Sequence, residues 1–404
     1  MTAAGIAGLL ASAGCLLVAL GLGAAPASAA GHLYGALGSD PAHLAQDYAV
    51  GMRVALLSVG WNEFEPEDGV WNQAYITQMK SRLQALRRAG MRVMLDLGMQ
   101  YPPQWIFDQP NGHFVDQYGD AFDYSAVGDG GVEAVFDESI RQEQQRYVAQ
   151  VFKELGTDFL AVRLGWGKYG ELCFPVPDYA GRRNCYWAYD AIAQGKAPGL
   201  PPGIAPCPVP GWKPGEPSAG HADAAKFLHW YLDSLKNYHD WQIRTVRQYY
   251  PGKLAMLYPS WGIRPGQVQA AIDDDLDGGS VAERGGDIQR AIDYALMVDG
   301  ITDPNVIVYC TWIDAPSGSD DTPDQDGWCP VHYLAALAAK NPRHLAVWGE
   351  NTGSNDYAAM QRCFQRIRAY GLMGIMWAFE DQLYGPGGKY ATIGQYQALI
   401  AQNP

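Results

Sequence analysis

One short unit recurs along this chain: an apolar strand, a loop, then an amphipathic helix. The strand segments are Leu33–Leu37, Arg53–Val59, Arg92–Leu97, Phe159–Leu164, Leu254–Tyr258, Val306–Tyr309, His344–Trp348 and Gly374–Trp377. Each is short and apolar, the pattern of parallel strands covered on both faces. Helical spacing fills the intervals. Ala74–Arg88 stops at Gly90, Asp137–Leu155 at Gly156, Ala222–Tyr250 before Pro251, and Tyr357–Tyr370 at Gly371; glycine and proline are the residues that end helices. Asp40 followed by Pro41 marks a further helix start. Eight strands alternating with helices predict an α/β fold, a single (β/α)8 TIM barrel. Two βα connections are long: residues 99–135 after strand 3 and 172–220 after strand 4. Both lie on the side where such barrels build their sites. Loops of that length without regular structure are more often functional than idle.

Composition narrows the function classes. Hydrophobic residues are 48% and charged residues 18% of 404, enough apolar content to order a large core. The net charge of −14 repels phosphate backbones, so a basic nucleic-acid-binding surface is not expected. No G-x-S-x-G, P-loop or dinucleotide fingerprint occurs, and no His has metal-ligand spacing. No cofactor and no metal are expected. Asp273, Asp275, Asp277 and Gly278 begin a calcium-loop pattern, but position twelve is Arg284, so a solvated acidic segment is expected there.

Residues 1–30 carry no charged side chain. An apolar run from Leu9 to Leu22 precedes Ala27-Ser28-Ala29, the pattern of a signal-peptidase site, although the basic residues of a full signal are missing. A signal peptide over 1–30 and a secreted domain over 31–404 are therefore expected. No later stretch is long and apolar enough to span a bilayer, so no membrane association is expected after cleavage. Cys15 leaves with the signal. Cys173, Cys185, Cys207, Cys310, Cys329 and Cys363 remain, and export predicts disulfides among them. Cys185–Cys207 and Cys310–Cys329 are the favoured pairs, because each brackets one loop.

The strand ends carry the chemistry. Strand 2 runs into Trp61-Asn62-Glu63-Phe64-Glu65-Pro66-Glu67-Asp68-Gly69-Val70-Trp71. Strand 3 is followed by Gln100, Tyr101 and Trp105, and strand 4 by Gly165-Trp166-Gly167-Lys168-Tyr169-Gly170-Glu171. Strand 5 ends with Tyr258, Ser260 and Trp261, and strand 6 with Trp312 and Asp314. Strand 7 ends with Trp348-Gly349-Glu350-Asn351, and strand 8 with Trp377, Glu380 and Asp381. Aromatic rings beside carboxylates and amides suit sugars, whose C–H faces stack and whose hydroxyls need acceptors. Large core fillers are the competing explanation for the Trp residues. The expected substrate-binding set is Trp61, Asn62, Glu63, Tyr101, Trp166, Lys168, Tyr169, Tyr258, Trp261, Trp312, Asp314, Trp348, Asn351, Trp377, Glu380 and Asp381.

Glycoside hydrolysis usually takes two carboxyl groups flanking the bond. Glu171 and Glu350 end strands 4 and 7 in Gly-rich turns and are the expected pair. The charge of Glu350 would raise the pKa of Glu171 and keep it an acid. Tyr258 or Tyr169 would orient Glu350.

On these residues the chain resembles clan A-type glycoside hydrolases. The stretch Trp61–Trp71 is similar to the segment after strand 2 of family 42 and family 35 β-galactosidases. The resemblance implies Glu171 as acid/base and Glu350 as nucleophile of a retaining β-glycosidase. One departure is Gly170, where clan A usually places Asn before the acid. Gly170-Glu171-Leu172 with Pro175 resembles the acid-bearing stretch of β-amylases, which implies an inverting alternative. A non-catalytic carbohydrate-binding barrel is the rival from another class; it would keep the aromatics and lose one carboxyl. An oligo- or polysaccharide partner and a monomeric state are expected.

Overall fold

A computed structural model describes residues 31–127, 131–316 and 319–404. The expected signal segment and Cys15 lie outside the described residues. Eight parallel strands form one sheet in the order β7-β6-β5-β4-β3-β2-β1-β8. They are β1 (Leu33–Ala36), β2 (Val54–Ser58), β3 (Arg92–Asp96), β4 (Ala161–Leu164), β5 (Lys253–Tyr258), β6 (Val306–Cys310), β7 (Ala346–Gly349) and β8 (Gly374–Trp377). An isolated parallel bridge between Glu350 and Met376 joins the two ends of that order. The result is the expected (β/α)8 barrel, and residues 32–404 make one compact unit.

Period two explains why the strands are apolar on both faces. Val54 and Leu56 of β2, Ala161 of β4, Ile307 of β6 and Trp348 of β7 pack together inside the barrel. Ala55 and Leu57, Val162 and Leu164, and Val306 and Val308 point outward into the larger core beneath the helices. The helices Gln73–Arg88 and Glu138–Leu155 bury one face there, and Asn72 and Asp137 cap them by accepting from Tyr75 and Ser139 amides. The helix Ala222–Arg247 stops one turn earlier than the sequence spacing implies. A 3-10 type bond from the Gln248 amide to the Thr245 carbonyl tightens the chain before Pro251.

The inward rows change character at the top of the barrel. Above the apolar layer, the next inward positions are Ser58, Asp96 and Arg163, level with one another in register. Tyr309 and Glu350 follow Ile307 and Trp348 on β6 and β7 by the same alternation. Fold alone therefore delivers a polar ring at the C-terminal ends of the strands.

Disulfides are where the sequence reading is corrected. Cys185, Cys207, Cys310, Cys329 and Cys363 are free and buried thiols, and Cys173 is buried and accepts from Arg290 Nη2 at 3.0 Å. The Cys185 thiol meets Asp116, Cys207 meets Gln194, and Cys310 accepts from the Trp312 amide at 3.4 Å. No described helix is long and apolar enough to cross a membrane.

The turn that carries Glu171 depends on one glycine. Gly165 leaves β4 at φ +141, and a Cβ there would collide with the Gly170 carbonyl oxygen. Gly165→Ala must open the turn, and we expect a protein that melts lower and turns over far more slowly. Melting and rate measurements on that variant check this; parent-like values for both would contradict it.

Candidate active site

Glu350 sits on the floor of a cavity of about 370 Å3 at the barrel mouth. Its carboxylate is held from two sides. Arg163 Nη1 lies 3.1 Å from Oε2 and Nη2 donates to Oε1 at 3.4 Å. Tyr309 Oη donates to Oε2 at 2.8 Å. Burial pushes the Glu350 acid above the usual carboxylate range, and Arg163 and Tyr309 pull against that push. Burial alone would weaken the charge on Arg163, but the Glu350 carboxylate outweighs it and holds the guanidinium protonated. Burial and Glu350 together push the Tyr309 hydroxyl far above its usual range, so Tyr309 remains a donor. Oε2 is thus occupied, while Oε1 carries only the longer contact.

Glu171 is positioned from the β4 side. It follows a 3-10 turn, Lys168–Gly170, in which Tyr169 adopts φ 58. The Leu172 amide then bonds the Leu257 carbonyl at 3.1 Å, pinning the chain to the end of β5. Thr311 Oγ1 donates to Glu171 Oε1 at 2.7 Å, and Arg290 Nη2 lies 3.8 Å from Oε2. Thr311 in turn accepts at its carbonyl from Thr352 Oγ1 at 2.6 Å, and Thr352 lines the cavity of Glu350. A hydrogen-bonded path, Glu171–Thr311–Thr352, thus leads from Glu171 to the wall of the Glu350 cavity, and Glu171 itself lies behind that wall.

The remaining cavity wall is mixed. Asp96 accepts from Gln100 Nε2 at 3.0 Å and from Ser58 Oγ at 3.4 Å. Tyr101, Tyr169 and Phe379 are exposed rings on the rim. Hydroxyl acceptors below and aromatic edges above are what a sugar ring requires.

No protein-family description matches this chain, and no curated protein does. Solved structures match it in fold. The catalytic domain of β-amylase from Paenibacillus polymyxa superposes with a TM-score of 0.63 at 15% identity, over 92% of this chain and 98% of that one. β-Galactosidases from Marinomonas ef1 and from Bacillus circulans sp. alkalophilus superpose with TM-scores of 0.56 and 0.57 at 13% and 12% identity. Each match covers 92% of this chain, which spans 59% and 56% of those two proteins. The fold they share with this chain is the (β/α)8 barrel.

Within that barrel several expected sugar contacts are corrected. Trp61, Trp166, Trp348 and Trp377 are fully buried and offer no face to a ligand. Trp61 stacks on Tyr147 with centroids 5.2 Å apart, Trp166 packs edge-on to Tyr238 at 4.5 Å, and Trp348 fills the barrel beside Tyr309. Tyr258 is buried and bonds His239 Nε2 at 2.8 Å rather than Glu350. Tyr169 is turned out to the rim, so Tyr309, not either expected tyrosine, orients Glu350. Asp314 accepts from the amides of Thr352, Gly353 and Ser354, and Asn351 bonds both backbone atoms of Ala378. Both shape the loop after β7 and the end of β8. Asn62 and Glu63 are exposed outside the cavity wall, as is Asp381, and Lys168 lies over the Tyr169 ring. Tyr101 and Tyr169 do line the cavity, whereas Trp261 and Trp312 are half-buried and outside its wall. Asp275 of the acidic segment pairs with His221 at 3.1 Å and Ser218 at 3.0 Å and does not line this cavity.

Glu380 is a different case. It is buried with Asp47, not aimed at a ligand. The Asp40 amide donates to it at 2.5 Å, and His43 lies 3.6 Å away. Burial and the adjoining Asp47 carboxyl raise its pKa to about 9. A carboxyl that binds its proton more tightly when folded stabilises the fold at low pH. That contribution falls as pH rises from the ordinary carboxylate value toward about 9. Glu380→Gln should melt roughly 2 °C or more above the parent at pH 8 and level with it at pH 4. Equal melting differences at both pH values would show that no proton is held there.

Proposed function

We propose that this chain is a glycoside hydrolase in which Glu171 protonates the leaving oxygen and Glu350 attacks the anomeric carbon. The observation that carries this reading is the state of Glu350. It lines the cavity at the mouth and is buried, with Oε2 held by Arg163 and Tyr309 and Oε1 bearing only the longer Arg163 contact. A carboxylate so held is fixed for in-line attack, and Arg163 and Tyr309 favour its ionised form against the stronger push of burial. Glu171, on the far side of Thr311 and Thr352, supplies the proton. After the glycosyl-enzyme forms, the leaving group has taken that proton and Glu171 is the base for water. The substrate is an oligo- or polysaccharide, no cofactor takes part, and the protein acts as a monomer.

An inverting course is the second reading. Gly170-Glu171-Leu172 with Pro175 favours it, as does the near-complete coverage of a β-amylase catalytic domain. There Glu350 activates a water instead of attacking. Proton NMR of the first-formed sugar separates the two. Retained anomeric configuration supports the double displacement, and inverted configuration replaces it with the single step.

The apolar run and Ala27-Ser28-Ala29 support export. Protein recovered from the growth medium should begin at Ala30 or Gly31; an N-terminus upstream of residue 20 would count against cleavage there.

A further inference from the structure

The charges on the wall of the Glu350 cavity do not balance. Of the residues that line it, Asp96, Arg163 and Glu350 bear ionisable groups of opposite sign, two carboxyls against one guanidinium, and the others carry no formal charge. Arg163 gives its ion pair to Glu350, at 3.1 Å, and among the described residues no ion pair reaches Asp96. Asp96 is held instead by neutral donors. The Gly98 amide donates to Oδ1 at 3.0 Å, and Gln100 Nε2 and Ser58 Oγ donate to Oδ2 at 3.0 and 3.4 Å. Such bonds orient a carboxylate without cancelling its charge. A carboxylate has about four acceptor sites, so one remains on Oδ1. Asp96 is 7% exposed and lines the cavity, so its charge is largely out of water. A charge in that position is costly until an opposite charge meets it.

The rim has the same preference. Tyr101 and Phe379 expose their rings there, and the face of an aromatic ring attracts a cation. Tyr169, beside them, already has the Lys168 ammonium 5.1 Å from its ring centroid. Lys168 does not line the cavity, so it leaves the excess on the wall in place. The net charge of −14 on the whole chain does not oppose the entry of a cation. A neutral sugar can offer Asp96 a hydroxyl, but a cationic sugar supplies both the donor and the missing charge.

We infer that the cavity selects a sugar with a free ammonium group, that Asp96 is the residue that sets this specificity, and that the substrate is an amino-sugar oligosaccharide. This rests on the catalytic reading, in which Glu350 is ionised and the wall keeps its excess negative charge. Sugars that carry a carboxylate are rejected for the same reason.

The test uses the full chain with Glu171→Gln, which slows turnover and leaves every charge on the cavity wall as it is. Calorimetric titration compares β-1,4-linked oligosaccharides of glucosamine and of glucose, and α-1,4-linked oligosaccharides of galactosamine and of galactose, with oligogalacturonates as the acidic control. In one linkage series the amino sugar should bind roughly tenfold tighter than its hydroxyl counterpart, and the oligogalacturonate should bind least. Adding Asp96→Asn should bring amino and hydroxyl sugars to the same affinity, and Asp96→Glu should restore part of the difference. The preference should also fade between about pH 6 and about pH 10, as the amine loses its proton. A preference that stays constant over that range overturns the inference without any variant at Asp96. So do hydroxyl sugars that bind as tightly as amino sugars, a preference that survives Asp96→Asn, or no binding of any amino sugar. Asp96-dependent binding of amino sugars by a parent chain that cleaves none of these sugars would support the selection and refute the catalytic reading. Cleavage of the hydroxyl sugars alone would do the reverse.

Discussion

Glu350→Gln is expected to lower kcat/KM by at least ~10³-fold while leaving the barrel folded. The amide keeps an acceptor for Tyr309 and fits the same cavity floor, but it neither attacks carbon nor activates water. Arg163 loses its partner in this variant. Asp96, level with it in register, still faces it with a carboxyl. A melting curve recorded with the rate therefore separates lost chemistry from lost structure. A folded Glu350→Gln protein with parent-like turnover would remove Glu350 from the mechanism.

The second large effect belongs to Arg163. Its side chain is buried against Glu350 with both charges nearly out of water. Removing one member of such a pair strands the other and costs about 3–5 kcal/mol, whereas replacing both by apolar residues is often neutral. Arg163→Met should therefore destabilise the protein strongly, and Arg163→Met with Glu350→Met should recover most of that loss. Denaturant unfolding of the two single variants and the double closes the cycle. Activity should respond differently. Arg163 holds the Glu350 acid down against burial, so Arg163→Met moves the acidic limb of the pH–rate profile to higher pH. The double variant should be stable and inactive. Single-variant losses that simply add would show that the pair is not coupled.

The fold was legible because burial on both faces leaves a plain trace: eight short apolar runs, each followed by a helical period and a glycine or proline stop. The boundaries fall within a few residues of β1–β8. That Glu171 and Glu350 follow β4 and β7 was legible in the same rhythm. The sugar-facing set was harder to read. A Trp at a strand end looks the same in sequence whether it faces a cavity or a helix. Trp61, Trp166, Trp348 and Trp377 face neighbours instead, each packed against a Tyr ring with centroids 4.5 to 6.4 Å apart. Arg163, Asp96 and Tyr309 were missed for the opposite reason. They lie inside strands, where attention goes to apolar residues. A signal was present: a charged residue in a buried parallel strand, as in Ala161-Val162-Arg163-Leu164, needs a buried partner of opposite charge. Period two then places that partner at the top inward layer. The free thiols were not legible, because loop spacing says nothing about where a sulfur points.

The central claim, an acid at Glu171 opposite a carboxylate at Glu350, is tested most directly by dependence on the leaving group. Aryl β-galactosides and β-glucosides with dinitrophenyl and with unsubstituted phenyl leaving groups would be hydrolysed by the parent, by Glu171→Gln and by Glu350→Gln. A dinitrophenolate departs without a proton, so Glu171→Gln should keep much of the parent rate of bond cleavage on that substrate and lose it on the phenyl glycoside. Glu350→Gln should lose both. Equal losses on the two leaving groups in Glu171→Gln, or retained turnover in Glu350→Gln, would contradict the assignment.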